Sequence, residues 1–99
     1  MKTYELTGKA LNWAVQKAEG LDGWLAPVNY CGNWEHGGPI IEREIAQIER
    51  FSDSLWEATA FTKNAQDFVQ NGPTPLIAAM RCYVASKLGD EVEVPNELL

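Results

Sequence analysis

The sequence predicts an α+β domain: a small α-β-α sandwich in the order helix, helix, hairpin, helix, built around a short antiparallel sheet. Three observations carry that prediction. Apolar residues fall at i, i+3, i+4 and i+7 in an early stretch, and along a wider stripe at the same spacing in a late one. Between them, two short runs with period-two alternation are separated by a gap of hairpin length. Ninety-nine residues, 45% hydrophobic and 22% charged, suit one packed domain over residues 1–99 rather than a disordered chain.

The first helix is expected in "TGKALNWAVQKAEG". Thr7 stands where an N-cap is needed, Leu11, Ala14, Val15 and Ala18 make one buried stripe, and Gly20 can close the helix in a left-handed conformation. The next stretch, "LDGWLAPVNYCG", has no period and is punctuated by Gly23, Pro27 and Gly32. It is expected to be an ordered loop, with Trp24, Leu25, Val28 and Tyr30 packing down on the core. Asn33 is an N-cap candidate for a second helix over residues 34–43, but Gly37, Gly38 and Pro39 leave two starting points open. Proline is tolerated in the first turn, so the helix either starts irregularly at Trp34 or begins at Pro39 itself. "EIAQIERF" and "LWEATAF" are expected strands joined through Ser52, Asp53 and Ser54. In the second, Trp56, Ala58 and Ala60 share one face and Leu55, Glu57, Thr59 and Phe61 the other. "TKNAQDFVQNG" is expected to be a polar connection with a helical turn at residues 66–69. "PTPLIAAMRCYVASKLG" is the clearest helix: Thr74 caps it, Pro75 opens it, Gly89 ends it, and Leu76, Ile77, Met80, Tyr83 and Val84 form its stripe. The tail "DEVEVP" suits a short strand or a surface segment. Apolar residues on both strand faces lead to the expectation that both faces meet protein. Open sheet edges suit a homo-oligomer.

Charge narrows the function classes. The net charge is −6 and no stretch is strongly basic, so nucleic-acid and anionic-membrane binding are not expected. There is no apolar run long enough to span a membrane, and Glu5 sits where a signal peptide would need apolar residues. Cys31 and Cys82 make no disulfide framework, so two free thiols in a reducing cytoplasm are expected.

The segments "GPTPLIAAMRCYVASKLGDEVEVP", "ELTGKALNWAV" and "NWEHGGPIIERE" together resemble the NinX-like family of lambdoid phages over nearly the whole chain. Residues 74–95 are the most specific part. More loosely, the "NYCGNW" stretch, the "WEATAF" strand and the last helix resemble the broader phage α-β-α sandwich domain. The resemblance implies a small phage-encoded protein acting inside the bacterial host, in its cytoplasm. It brings no assigned activity and no catalytic residues.

Chemistry-bearing residues concentrate in "NYCGNWEHGGPIIERE". Cys31, Glu35 and His36 are too few for a structural metal site, which takes four ligands, and no metal or cofactor is expected. A Cys31–His36 nucleophile pair, oriented by Glu35 or Glu42, is the enzymatic alternative, but sequence spacing alone does not bring base to thiol. The acidic pairs Glu42 with Glu44 and Glu91 with Glu93 fit solvated faces. Trp13 and Trp56 belong to regular elements and to the core. Trp24, Tyr30 and Trp34 either staple the long loop to the sandwich, the simpler use of such rings, or offer stacking faces; Asn29 and Asn33 offer paired donors and acceptors, and His36 with Gly37 and Gly38 opens a helix start toward an anion. The leading expectation is therefore a non-enzymatic protein that binds a small, nucleotide-like host molecule through Trp24, Asn29, Tyr30, Asn33, Trp34, His36, Gly37 and Gly38, to counter a host defence or adjust host metabolism. The alternative is an acidic interaction module that binds a host or phage protein.

Overall fold

The structure, a computed structural model, describes residues 1–21, 28–61 and 66–98. After a 3-10 turn at Thr3–Glu5, its regular elements are α1 (Gly8–Ala18), α2 (Trp34–Glu44), β1 (Gln47–Ser52), β2 (Leu55–Phe61), β3 (Asp67–Gly72) and α3 (Pro75–Leu88), with a final 3-10 turn at Asn96–Leu98. The α+β class and the short antiparallel sheet are as the sequence predicts.

The ends of the helices follow from local chemistry. Thr7 occupies the N-cap position of α1, although its hydroxyl makes no capping bond. Gly20, at φ +82°, closes α1 with paired bonds from its own N–H to the Lys17 carbonyl and from the Leu21 N–H to the Gln16 carbonyl. That is the double closure a left-handed glycine permits. Of the two starts open to α2, the earlier one is taken: the Asn33 side chain accepts the Glu35 N–H at 3.0 Å and the helix runs through Pro39. Pro39 forfeits one backbone bond near the exposed start of the helix, and the cap and the packing of Gly37 and Ile40 hold the turn despite it. Thr74 caps α3 by accepting the Ile77 N–H at 3.0 Å, with Pro75 in the first turn.

The sheet has the order β1-β2-β3, antiparallel throughout. The third strand corrects the expected helical turn at residues 66–69. "DFVQNG" is polar, but Phe68, Gln70 and Gly72 alternate with Asp67, Val69 and Asn71, and the full length of the strand pairs with β2 from Phe61↔Asp67 to Trp56↔Gly72. The first strand begins later than its sequence pattern suggests because α2 extends to Glu44. A register shift between Arg50 and Ser52 leaves Phe51 out of the ladder.

Helix α3 is the centre of the molecule. Leu76, Ala78, Ala79, Met80, Cys82, Tyr83, Val84 and Ala85 are all buried, so it is covered on every side, as an all-round apolar helix requires. β2 and β3 pack on it, and so do α1 and α2. Gly72 lets β3 approach so closely that a Cβ there would lie 2.7 Å from the Ala78 nitrogen. The layers are therefore sheet, α3, then α1 and α2. This corrects the expectation that both sheet faces meet protein within the chain. Ala58 and Ala60 face α3 and are buried, whereas Leu55, Phe61 and Val69 on the other face are 41%, 59% and 49% exposed. α1 and α2 are drawn to α3 because its apolar surface continues past the side that the sheet covers.

Two long-range ties complete the packing. The tail is neither a strand of the main sheet nor free: Met1 and Val92 exchange backbone bonds, Lys2 bridges Glu91, and the Thr3 hydroxyl donates to the Gly89 carbonyl at 2.6 Å. Arg81 of α3 donates to the Leu6 carbonyl at 2.8 Å and to the Asn71 carbonyl at 2.9 Å, joining the N-terminal segment to β3.

Candidate functional site

Two surfaces compete for the role: the start of α2, which holds the residues singled out from sequence, and the outer face of the sheet.

At the start of α2, α1 holds the incoming chain in place. Asn12 and Gln16, one helical turn apart and both buried, point at it. Asn12 Oδ1 accepts the Cys31 N–H at 2.9 Å, Asn12 Nδ2 donates to Asn29 Oδ1 at 3.1 Å, and Gln16 Oε1 accepts the Val28 N–H at 3.3 Å. Among the described residues no buried side-chain nitrogen or oxygen lacks a partner. Sequence reasoning missed this pair, and an i, i+4 Asn–Gln on the apolar side of a helix was the available signal.

The expected ligand residues divide under this arrangement. Trp24 lies outside the described residues, as do Gly23, Leu25 and Pro27. Tyr30 is only 9% exposed and packs in the core, with its hydroxyl pKa raised chiefly by burial. Val28, expected to pack down, is largely exposed. Asn29 is engaged by Asn12, and Asn33 by the Glu35 N–H. The N–H groups that would cradle an anion are occupied as well, since those of His36 and Gly37 both donate to the Asn33 carbonyl. Gly37 serves packing: a Cβ there would lie 2.5 Å from both the Tyr30 carbonyl oxygen and Leu76 Cδ1. Gly38 has open space instead. Trp34, at 54% exposure, and His36 remain at the surface, with the imidazole edge-on to Tyr30 at 6.5 Å between ring centres.

The thiols are placed for packing. Cys31 Sγ lies 3.7 Å from the Gly8 carbonyl, and burial raises its pKa. Cys82 donates to the Phe68 carbonyl at 3.1 Å, and burial pushes its pKa up to about 12. Both shifts favour the neutral thiol, the opposite of nucleophile activation. Among the described residues no group of three or more His, Cys, Asp or Glu is placed to hold a metal ion.

The outer sheet face is built by strand parity. Its rows are Gln47–Thr59–Val69, Glu49–Glu57–Asn71 and Phe61–Asp67, with Leu55 at one end. Glu49 and Glu57 stand directly opposite one another, an arrangement that disfavours the folded sheet. The cation nearest by sequence, Arg50, belongs to the inner face, where it pairs with Asp53 and lies 5.8 Å over the Trp56 ring. Glu49, Glu57 and Asp67 form no ion pair among the described residues. Where the face meets the N-terminal segment it deepens into a groove of about 600 Å³, lined by Tyr4, Leu55, Glu57, Val69 and Arg81 among others. No helix among the described residues is long and apolar enough to cross a membrane.

The family model described as "Bacteriophage P22, NinX" matches residues 25–87, a span that takes in α2, the whole sheet and nearly all of α3. Among curated proteins, none matches the chain.

Proposed function

Because the chain belongs to the bacteriophage P22 NinX family, we propose that it is a non-enzymatic phage accessory protein that acts by binding another protein through its outer sheet face. One observation carries this reading. Leu55, Phe61 and Val69 stay exposed on a face whose charged strand residues, among those described, are all acidic. A water-facing sheet is normally polar on that side, and exposed apolar groups flanked by charge mark contact surfaces. Acidity adds selectivity, since it attracts a basic partner and repels nucleic acid.

The test is affinity isolation of the tagged chain from phage-infected cells, followed by sizing of the complex. The expected result is one stoichiometric protein partner at low salt, lost when Val69→Lys is introduced and weakened at high salt. Isolation of the chain alone at low salt would overturn the reading.

Exposed Trp34 beside the start of α2 supports a second reading, in which a nucleotide-like small molecule stacks there. A thermal-shift screen with mono- and cyclic nucleotides separates the two. Stabilisation that Trp34→Ala removes and Val69→Lys leaves intact would favour the small ligand.

A further inference from the structure

We propose that the partner element seated on the outer sheet face is a cationic amphipathic helix of another protein, with an arginine bridging Glu49 and Glu57. This rests on the protein-binding reading above and gives the partner its chemistry.

The inner face of the same sheet already shows what such a face accepts: a helix, α3, lying across β2 and β3. Among the described residues no helix covers the outer face. Along β2 it runs from Leu55 to Phe61, six steps of about 3.3 Å, or roughly 20 Å. A helix covers that distance in roughly 13 residues at 1.5 Å each. Its apolar side chains would meet Leu55, Val69 and Phe61.

Charge decides between occupants. Glu49 and Glu57 are directly opposed, and Asp67 flanks Phe61. A second copy of this chain would set carboxylate against carboxylate at the contact, because the described strand residues of this face carry no cation and Arg81 at the groove edge is engaged by the Leu6 and Asn71 carbonyls. A basic segment relieves the opposition instead. The planar fork of a guanidinium can donate to two neighbouring carboxylates at once, which an ammonium does less well. The like-charge pair is then a feature that disfavours the free fold and favours the bound one. That combination gives a signature that general acidity does not.

The probe is a synthetic 14-residue helical peptide with leucines on one stripe and arginines beside it, together with versions carrying lysine or glutamate in place of arginine. Binding is followed by fluorescence anisotropy, and the contact is mapped by amide chemical-shift changes. The arginine peptide should shift residues of β2 and β3 on the outer face, bind more tightly than the lysine peptide, and leave the glutamate peptide unbound. E49Q/E57Q should weaken binding about tenfold, the scale expected for a close interfacial charge contact. The same double change should raise the melting temperature of the free protein. E93Q/E97Q removes the same charge elsewhere and should change affinity less than about twofold, as a peripheral charge does.

Equal weakening by both double variants would overturn the proposal by reducing it to net-charge attraction. Shifts confined to α2, or a concentration-dependent dimer dissolved by Val69→Lys, would overturn it as well. If a stoichiometric cellular partner is lost with Val69→Lys but indifferent to E49Q/E57Q, the basic-helix assignment fails while the protein-binding function stands.

Discussion

Gly37 and Gly38 are neighbours in one helix, yet alanine should cost stability at the first and almost none at the second. Within a helix alanine is favoured over glycine by about 1 kcal/mol. At Gly38 the added Cβ meets nothing within 4 Å beyond its chain neighbours, but one of these is Pro39, whose ring crowds the helical residue before it and offsets that gain. At Gly37 the Cβ would lie 2.5 Å from the Tyr30 carbonyl oxygen, a backbone atom that retreats only if the turn before α2 moves. Overpacking of this kind costs about 1–3 kcal/mol, and a backbone obstacle places it in the upper half of that range. Subtracting the helical gain leaves Gly37→Ala destabilised by about 1–2 kcal/mol, with Gly38→Ala close to the parent. In a domain of this size each kcal/mol moves Tm by roughly 4–8 °C, so Gly37→Ala should melt roughly 4–16 °C below both the parent and Gly38→Ala. Differential scanning calorimetry measures this directly. A Gly37→Ala protein melting at or above the parent would refute the assignment of that glycine to close packing.

Other expectations follow from the same contacts. Arg81→Lys replaces two separate donors, Nε to the Leu6 carbonyl and Nη1 to the Asn71 carbonyl, with a single nitrogen, and urea unfolding should show a loss of about 1–3 kcal/mol. Asn12→Leu leaves the Cys31 N–H without its acceptor, and hydrogen exchange at that amide should accelerate before global stability changes greatly. Neither thiol should react with a disulfide reagent at pH 8 unless the protein unfolds, because burial holds both neutral; rapid labelling of Cys31 in the folded state would contradict this. The Cys82 pKa is raised on folding from 9.0 to about 12, so the unfolded chain releases that proton first. Its contribution to stability is therefore full below about pH 9 and declines as pH rises toward 12, a slope that Cys82→Ala should reduce in thermal melts at stepped pH.

Much of the fold is legible because its signals are local. The Gly20 closure, the Thr74–Pro75 opening of α3 and the parity of β2 each depend on residues within a few positions of one another. β3 was hidden because its composition is polar, and only pairing with β2 makes its alternation meaningful. The layering was hidden because a sheet pattern with apolar groups on both sides does not reveal that α3 competes successfully for α1 and α2. The candidate site was less legible still. Gly37 and Gly38 are identical letters whose surroundings differ, and the engagement of Asn29 by Asn12 joins residues 17 apart. Exposure of Trp34 and burial of Tyr30 depend on which side of the turn meets α1 and α3, a property of the assembled domain.

The placement of α3 has a consequence for synthesis. The helix on which the other layers rest follows all of them in chain order. Until residues 75–88 emerge from the exit tunnel, three strands and two helices have nothing to close against, and nascent chains stalled earlier present bare strands to chaperones and proteases. Acquisition of structure is thus deferred until that helix has been made, and a break within it removes the support of every earlier element at once.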